Sequence, residues 1–422
     1  MRILVISNLY PPIARGGYEV ECSAVVERLR ANHDVTVLCS SFERAAVAAQ
    51  LQDESRRRAE EGVLRSLDLL SPDWRGALRA PLASVKAARL ARQLMRDRPD
   101  LVYVWNGSSI PQASLRAIAD LGAPIAFRVC EHWFSRLFAQ DQYMRELMRA
   151  RRGPARAVWS ALCRTVNLLP YMQLEPDAPI RAAISWNSEA IRAMSGSPPM
   201  VDVVMERVGH SVPLQGDMYA AVQRDPAADP EILFVGRVTP YKGVSVAIEA
   251  LALLRSRYGL EARLRILGPQ EPDYALQMRR LAEREGLAAA VSFEGPASPQ
   301  EIADAFVRAA ALIVPSLWRE PFPLVTIEGA LARVPVVASD VGGIGEGLHD
   351  QEHALLFPPG DAAVAAAAVA RLLGEPEETQ ARVLRARARA EDFRLGPYLD
   401  AQEKFVLDAQ AALESRATNV GA

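Results

Sequence analysis

Two carboxylates stand eight positions apart in the stretch WREPFPLVTIEGA, residues 318–330: Glu320 beside a Pro-Phe-Pro turn, and Glu328 inside the apolar run that follows. Proline fixes φ and lacks an N–H group that a helix start can spare, so we expect a helix to begin near Leu324. At about 100° per residue, Glu328 then lies on the apolar face of that helix. A carboxylate there is costly unless it is hydrogen-bonded, so Glu328 requires a protein donor or the hydroxyl groups of a ligand.

Glu320 allows two interpretations. It lies near the N-terminus of the expected helix, where a negative charge is favourable in any protein. Residue type and position alone do not decide whether Glu320 compensates the helix dipole or takes part in chemistry. Other segments of the chain have to decide between them.

A second candidate segment, FVGRVTPYKG, contains a strand that ends at Gly236 and is followed by Arg237 and Lys242. Two cations at the carboxyl end of a strand can neutralise a diphosphate, and two solvated surface cations are the alternative. The next two strands end at Gly268 and Gly295. Because glycine lets a ligand approach the backbone, the three strand ends together suggest a surface kept open for a ligand.

The N-terminal loop NLYPPIARGGYEVE leads from an apolar strand to a helix, with Gly16 and Gly17 just before that helix. Free N–H groups and the helix dipole favour an anion there, with an ordinary loop as the alternative. The segment DVGGIGEG, residues 340–347, lacks the rest of a dinucleotide fingerprint. We therefore expect no NAD binding.

Composition narrows the class of protein. The chain has 422 residues, 50% of them hydrophobic, and a formal net charge of -2, which does not suggest a nucleic-acid binder. The N-terminal apolar run is too short for a signal peptide, and no later run reaches the roughly 18 apolar residues that span a membrane. The cysteines are scattered, which predicts neither a zinc site nor a disulfide framework, and we expect a reducing cytoplasm. They are Cys22, Cys39, Cys130 and Cys163.

Short, almost continuously apolar runs alternate with helical segments, which predicts α/β architecture with doubly wound parallel sheets. We expect an N-terminal Rossmann-like domain at residues 1–222, a polar linker at 223–231 and a second Rossmann-like domain at 232–396. A C-terminal helix and tail, 397–422, can pack on either domain. The runs are RILVIS, DVTVLC, LVYVW and PIAFRV in the first half, and ILFVG, LRILG, VSFEG, ALIVP and VPVVAS in the second.

The order of these pieces resembles the retaining glycosyltransferases of family 4, related to glycogen synthase and the glycosyl transferases group 1. The similarity is carried by YPPIARGG, FVGRVTPYKG, VSFEGPASPQEIADAFVRAAALIVPS and above all EPFPLVTIEGALARVPVVASDVGG. It implies the GT-B fold, in which two Rossmann-like domains face each other across a cleft. By the same resemblance, the donor would be a nucleotide diphosphate sugar, with UDP or GDP as the nucleotide, and neither a cofactor nor a metal ion is expected.

The resemblance also implies roles for individual residues. Glu328 would bind the ribose hydroxyls, Glu320 would lie beside the donor sugar and the reacting centre, and Arg237 and Lys242 would stabilise the departing diphosphate. The whole donor-binding set comprises Gly16, Gly17, Gly236, Arg237, Lys242, Gly268, Glu294, Gly295, Glu320, Phe322, Pro323, Leu324, Val325 and Glu328.

Two departures from the family pattern matter. Pro323 stands where relatives often have glycine, which removes an N–H group near the sugar. Many relatives have a catalytic histidine after the strand that ends near Val129, whereas alignment on the tryptophan of RVCEHWFS puts Cys130 at that position and His132 two residues out of register. Glu131 and His132 are candidates for a catalytic role in positioning the acceptor, with local packing of His132 as the alternative.

These observations predict a retaining glycosyltransferase that moves a sugar from a nucleotide diphosphate sugar to an acceptor hydroxyl. A nucleotide-sugar epimerase and a catalytically decayed binding protein are the alternatives. Acceptor recognition is expected in residues 53–80 and 130–177. Basic segments at residues 85–98 and 149–164 leave open a peripheral contact with the inner face of the membrane, against ordinary solvated helix faces. The first of them contains Lys86, Arg89, Arg92 and Arg96.

Overall fold

The computed structural model describes residues 1–14, 16–41, 61–68, 74–107, 110–137, 178–196, 198–225 and 229–417. By its internal contacts the chain divides into two units. Unit 1 comprises Met1–Asn187, Ile191–Gly209 and Leu399–Ala422, and unit 2 comprises Ser188–Ala190 and His210–Tyr398. Each unit is an α/β domain built on its own parallel sheet.

The sheet of unit 1 has the strand order β3-β2-β1-β4-β5-β6-β7, with parallel pairing throughout. Its first strand, RILVIS, is buried from its second residue onward, because helices cover both faces of a doubly wound sheet. The strands are β1 Arg2–Ser7, β2 Asp34–Ser40, β3 Val63–Leu67, β4 Leu101–Asn106, β5 Ile125–Val129, β6 Ile180–Trp186 and β7 Val201–Val208.

The sheet of unit 2 repeats this pattern with the order β10-β9-β8-β11-β12-β13, again parallel. The strands are β8 Glu231–Val235, β9 Arg263–Leu267, β10 Val291–Gly295, β11 Ala309–Val314, β12 Val336–Ser339 and β13 Leu355–Phe357. All nine predicted apolar runs therefore lie in strands, and the predicted helix start at Leu324 is confirmed.

The described helices connect and cover these strands. They are α1 Gly17–Arg30, α2 Trp74–Leu94, α3 Ala113–Ala119, α4 Glu189–Ser195, α5 Gly216–Ala220, α6 Val244–Tyr258, α7 Pro272–Arg284, α8 Pro299–Arg308, α9 Leu324–Leu331, α10 Ile344–Gly347, α11 Ala362–Gly374, α12 Pro376–Ala390 and α13 Leu395–Ala417. Each unit has its own apolar core, that of unit 1 around β4 and β5 and that of unit 2 around β8, β9 and α6.

The boundary between the units differs from the predicted one, because residues from His210 onward pack with unit 2 instead of staying in the first domain up to residue 222. Helix α5 explains the difference, since the Tyr219 ring packs edge-on against Phe306 of α8 at 5.6 Å. Part of the predicted linker, residues 226–228, lies outside the described residues. The C-terminal tail belongs to unit 1 from Leu399 onward.

Polar contacts attach α13 to the rest of unit 1. The Tyr103 hydroxyl of β4 donates to the Gln402 side chain at 2.9 Å, in a buried position. At the end of α1, the Arg28 guanidinium lies 2.8 Å from the Asp400 carboxylate. From Leu399 onward, α13 is therefore an integral layer of unit 1.

A buried ion pair joins α1 to β5 in unit 1. The Arg128 guanidinium is 0% exposed and lies 2.9 Å from the Glu21 carboxylate. It also donates to the Gly209 carbonyl at 2.7 Å and to Ser185 Oγ at 3.0 Å. The Tyr18 hydroxyl of α1 donates a hydrogen bond of 2.7 Å to the Arg128 carbonyl. A buried charge needs such pairing, so this network fixes α1 against the end of β5.

Candidate functional site

The two central strands of the unit 2 sheet define where its candidate site lies. Strand β8 continues to β9 on one side, while its other neighbour is β11, so the strand order reverses between β8 and β11. Open α/β sheets bind ligands in the crevice beyond the carboxyl ends of such strands. The loops that follow β8 and β11 carry Lys242 and Glu320 to this point.

Lys242 and Glu320 form an ion pair there, with Lys242 Nζ 2.6 Å from Glu320 Oε1. Ser316 Oγ donates a second hydrogen bond to the same oxygen. Glu320 is only 3% exposed, so its carboxylate depends on these two donors. The charge of Glu320 is thus balanced by a specific cation, and compensation of the helix dipole is not its main role.

Backbone contacts hold the two loops together. The Leu317 N–H group donates to the Tyr241 carbonyl at 2.9 Å. At Gly243, where φ is +69°, a Cβ atom would lie 1.8 Å from the Pro315 carbonyl oxygen. Only glycine fits this position, and the close approach keeps Lys242 beside the loop that carries Glu320.

A third loop, which contains Gly342 and Gly343, packs against the backbone of Glu320. The Gly343 N–H group donates to the Glu320 carbonyl at 2.8 Å. A Cβ atom on Gly342, where φ is +63°, would lie 2.1 Å from that carbonyl oxygen, and one on Gly343 would lie 2.1 Å from the Pro321 carbonyl oxygen. The glycines of DVGGIGEG, which match no dinucleotide fingerprint, therefore allow the backbone around Glu320 to pack closely.

Arg237 lies on the same loop as Lys242, but its environment differs. The side chain is exposed, and its guanidinium lies over the Tyr241 ring at 5.5 Å from the centroid. Tyr241 packs edge-on against Trp318 at 5.5 Å, and Lys242 Nζ lies 5.9 Å from the Trp318 ring. The two cations thus sit over an aromatic pair, Lys242 engaged by a carboxylate and Arg237 open to solvent.

Gly268 and Gly295, at the ends of two neighbouring strands, differ in how closely other atoms pack against them. A Cβ atom on Gly268 would lie 2.0 Å from the Gly236 carbonyl oxygen, and the Gly268 N–H group donates to the Gly295 carbonyl at 2.6 Å. Gly268 is therefore required by packing of one strand end on the next, and its role in donor binding stays a prediction. A Cβ atom on Gly295 would meet no heavy atom within 4 Å.

Glu294, another predicted donor-binding residue, is part of an ion pair on the sheet surface. Its carboxylate accepts two hydrogen bonds from the Arg265 guanidinium, at 2.8 and 2.9 Å. Hydrogen bonding to Arg265 lowers the pKa of Glu294. Any donor contact of this side chain has to compete with Arg265.

Glu328 lies on α9, in the second turn. It is half-buried, whereas Ile327 and Leu331 on the same helix are fully buried, so it lies at the border of the apolar face. Desolvation of the carboxyl group raises its pKa from 4.5 to about 7. No hydrogen bond among the described residues involves the Glu328 carboxylate. The Tyr219 ring of α5 is a close neighbour: burial raises the pKa of the Tyr219 hydroxyl, and the charge of Glu328 raises it further.

The start of α9 presents unpaired backbone donors. Pro323 is the N-cap residue, with extended φ and ψ of -78° and 106°, and its carbonyl accepts hydrogen bonds from the Thr326 N–H group at 3.2 Å and the Thr326 hydroxyl at 2.8 Å. The N–H groups of Leu324 and Val325 have no partner within the helix, as in any first turn. The lost N–H group of Pro323 therefore costs the helix nothing, and two donors remain beside Phe322.

Unit 1 holds the remaining candidates. The Gly16 N–H group donates to the Glu19 carboxylate at 3.1 Å, so an anion at this helix start would meet an acidic side chain. Beyond β5, Cys130 is buried, Glu131 is exposed and His132 is half-buried. Gly17 begins α1, which packs against this strand through the Arg128 network described above. The acceptor segments predicted at residues 53–80 and 130–177 fall largely outside the described residues.

Some residues near the site were not predicted from the sequence. Ser316 was one of them, although a serine four residues before a candidate glutamate is a signal that could have been noticed. Another is His210, whose Nε2 lies 3.0 Å from the Glu346 carboxylate and whose ring lies 4.7 Å from that of Phe322. No sequence pattern connects residues so far apart in the chain.

Three potential metal ligands also come together on a turn of unit 2: His349, Glu352 and His353, with ligand atoms within 4.8 Å of one another. His353 Nδ1 accepts the His349 N–H group at 3.1 Å, which leaves the proton of the neutral ring on Nε2. Burial lowers the pKa of His353, and positive charges on α12 lower it further. The Glu352 carboxylate, 3.6 Å from Nε2, acts in the opposite direction and raises the pKa of His353.

The basic segment at residues 85–98 falls on α2 and the turn after it. Lys86, Arg89 and Arg96 are exposed, while Ala87 and Ala91 are buried on the opposite face. Within the described ranges, no helix combines the length and the apolar character needed to cross a bilayer. The second basic segment, residues 149–164, lies outside them.

The chain is similar to several sugar-transferring enzymes. Residues 219–390 match the family described as glycosyl transferases group 1. Glycogen synthase from Mycobacterium tuberculosis is 28% identical over 413 residues, which cover 92% of this chain and 90% of that protein. A D-inositol 3-phosphate glycosyltransferase from Nocardia farcinica is 32% identical over 203 residues, 46% of this chain and 43% of that protein.

Solved structures agree at the level of the fold. Anabaena HepE in complex with UDP matches with a TM-score of 0.67 at 16% identity, covering 97% of this chain and 100% of that one. The predicted fold class, two Rossmann-like domains of the GT-B type, is confirmed.

Proposed function

We propose that this chain, a glycosyltransferase whose residues 219–390 belong to the glycosyl transferases group 1, moves a sugar from a nucleotide diphosphate sugar to an acceptor hydroxyl with retention at the anomeric carbon. The observation that carries the proposal is the Lys242–Glu320 pair, 2.6 Å long, at the point where the strand order of unit 2 reverses. Assignment to family 4 and the retaining outcome both rest on the E-x7-E spacing of Glu320 and Glu328.

Charge development gives Lys242 and Arg237 their roles. As the bond between the anomeric carbon and the diphosphate oxygen breaks, negative charge accumulates on the leaving group. Preorganised cations then stabilise the transition state more than the ground state. With Arg237 and Lys242 assigned to this charge, we propose that transfer proceeds without a metal ion.

Retention follows from attack on the face that the leaving group vacates. The acceptor oxygen forms its bond to the anomeric carbon as the carbon–diphosphate bond breaks, and its proton passes to a phosphate oxygen. Glu320, buried and paired, would hold the sugar and Lys242 in place instead of acting as the nucleophile. A covalent sugar adduct on Glu320 or Glu131, trapped and detected by mass spectrometry, would contradict this mechanism.

Nucleotide recognition is assigned to Glu328, and recognition of the donor sugar to the start of α9. An ionised carboxylate accepts both hydroxyl groups of a ribose, which supplies the partner that the desolvated Glu328 lacks among the described residues. The N–H groups of Leu324 and Val325, which have no partner within the helix, would bind sugar hydroxyls. The UDP complex of the structurally similar HepE supports a uridine nucleotide as the first candidate, with a guanosine nucleotide as the second.

A thermal-shift screen with UDP, GDP, dTDP and ADP tests the nucleotide assignment. One of them should raise Tm, and Glu328→Ala should abolish that increase, while Glu352→Ala, an exposed glutamate on another turn of the same unit, should retain it. Unchanged affinity in the Glu328→Ala variant would remove the ribose contact from the proposal. Incubation with the nucleotide sugar alone excludes an epimerase if no second sugar appears.

A further inference from the structure

His210, the first residue of the second segment of unit 2, has a carboxylate partner that is unusually well defined. Its Nε2 lies 3.0 Å from Glu346 Oε2. The same carboxylate accepts the backbone N–H groups of Glu189 at 2.8 Å and Ala190 at 2.7 Å. Burial opposes the charge of Glu346, but the hydrogen bonds from His210 and from these N–H groups lower its pKa below the ordinary value. Glu346 is therefore ionised and holds the imidazole in one orientation.

The other side of the imidazole packs against aromatic rings. The centroid of the Phe322 ring lies 4.7 Å away, and that of the Phe393 ring 5.7 Å away. Phe322 and Phe393 also contact each other, at 5.4 Å. The three rings form a closed triangle, and we call it the His210 cluster.

Backbone and cationic contacts close the His210 cluster on its remaining sides. The Arg389 guanidinium lies 4.9 Å from the Phe393 ring centroid and donates to the Glu346 carbonyl at 3.0 Å. A Cβ atom on Gly347 would lie 3.3 Å from the Phe322 ring, which is tighter than ordinary contact. The Phe322 ring is thus confined between Gly347 and the imidazole, with little room to rotate.

Phe322 lies between Glu320 and the start of α9. Because Phe322 directly precedes Pro323, the N-cap residue of α9, displacement of Phe322 would also displace the start of that helix, with the N–H groups of Leu324 and Val325. We propose that His210, oriented by Glu346, is a positioning residue that fixes Phe322 and thereby shapes the pocket for the sugar half of the donor. This inference rests on the proposed function, and it predicts an effect on the sugar that the nucleotide half of the donor does not share.

The test compares UDP-glucose with UDP, or the matching GDP pair if the thermal-shift screen selects guanosine. For His210→Ala we expect KM and Kd for the nucleotide sugar to rise about tenfold, because a misplaced pocket loses contacts that depend on orientation. Kd for the nucleotide diphosphate should change less than about twofold, since Arg237, Lys242 and Glu328 do not touch His210. His349→Ala, an exposed histidine on another turn of unit 2, is the control.

Two further variants separate positioning from folding. His210→Phe keeps a ring against Phe322 and loses only the bond to Glu346, so it should fold and show an intermediate loss for the nucleotide sugar. Phe322→Leu should reproduce the loss of His210→Ala, and the double variant should lose no more than either single variant.

The outcomes are distinct. Equal losses for UDP-glucose and UDP, or an unchanged affinity for UDP-glucose in a folded His210→Ala or His210→Phe variant, overturn the positioning role and leave the proposed function intact. A wild-type protein that binds neither nucleotide sugar overturns the proposed function, and this inference with it.

Discussion

Lys242 Nζ lies 2.6 Å from Glu320 Oε1, although 78 positions separate the two residues in the chain. Lys242 is partly accessible, and Glu320 is almost fully buried. Lys242 can therefore turn toward a ligand, whereas Glu320 is held in the protein interior. The two members of this pair should respond differently to substitution.

Lys242→Met should lower kcat by about two orders of magnitude, as loss of a preorganised charge at the leaving group does. It should also lower the free energy of unfolding by about 2 kcal/mol, because Glu320 loses its cation while staying buried. The double variant with Glu320→Gln should regain part of the stability and none of the activity. Urea denaturation and initial rates measure both quantities.

The control for this prediction is Arg265→Met at the Arg265–Glu294 pair, whose side chains are 27% and 38% exposed. A solvent-exposed pair contributes little, so the change should stay below about 1 kcal/mol. Strictly additive effects of Lys242→Met and Glu320→Gln would contradict an energetic coupling of the two residues.

Glu328→Gln should change how stability depends on pH. The folded chain retains a proton on Glu328 up to a pKa of about 7, whereas the unfolded chain loses it near 4.5. The free energy of unfolding should therefore fall by roughly 2–3 kcal/mol as pH rises through that window. The glutamine variant, which does not titrate, should lack this fall, and chemical denaturation at pH 5 and pH 8 measures it.

Donor affinity should follow the opposite course. The ionised carboxylate is the form that accepts ribose hydroxyl groups, so nucleotide binding to the wild type should strengthen between pH 6 and pH 8. Calorimetric titrations should also show proton release on binding near pH 7. Affinity that is flat over this range in the wild type would contradict the assignment of Glu328 to the ribose.

Gly342→Ala tests the backbone packing behind Glu320. Its Cβ atom would lie 2.1 Å from the Glu320 carbonyl oxygen, so we expect a loss of about 3 kcal/mol or more and a large decrease in kcat. Gly286→Ala is the matched control, because Gly286 has a similar φ of +69° and no heavy atom within 4 Å of the added methyl group. In the Gly286→Ala variant, only the strain of alanine at a positive φ should lower the free energy of unfolding, by about 1 kcal/mol. Comparable Tm values for the two variants would show that the close approach is unimportant.

Arg128→Met in unit 1 should be among the more damaging single substitutions for folding. It leaves the Glu21 carboxylate buried without its cation and removes the donors to Gly209 and Ser185. We expect a loss of about 3–5 kcal/mol in the free energy of unfolding. Lys404→Met, whose pair with Asp408 lies on α13 with side chains 67% and 33% exposed, should cost less than about 1 kcal/mol.

In the two described sheets, sequence patterning identified eight of the nine interior strands, missing β6, and only one of the four edge strands, β10. Runs such as RILVIS and LVYVW are covered on both faces and are apolar almost throughout, which is a strong signal. Strands β3, β7 and β13 lie at sheet edges, and β3 and β7 carry arginine or glutamate side chains. Edge strands mix polar with apolar residues, so apolar runs alone do not identify them.

The candidate site shows a second limit of prediction from the sequence. The helix start at Leu324 follows from local chemistry and was predicted. Helical periodicity singled out Glu328 as the buried carboxylate, but the more deeply buried one is Glu320, whose environment is created by the distant loop of Lys242 and by the turn at Gly342. Contacts between loops at the ends of different strands depend on the sheet topology, which a single-residue pattern does not encode.

The placement of α13 has a consequence for biogenesis. Unit 1 includes residues from both ends of the chain, with Tyr103 bonded to Gln402 and Arg28 paired with Asp400. During synthesis, every residue of unit 2 leaves the ribosome before the segment that completes unit 1. The domain that starts first therefore finishes folding last, and until Leu399–Ala417 is released, a hydrophobic face that α13 covers stays open to chaperones and to proteolysis.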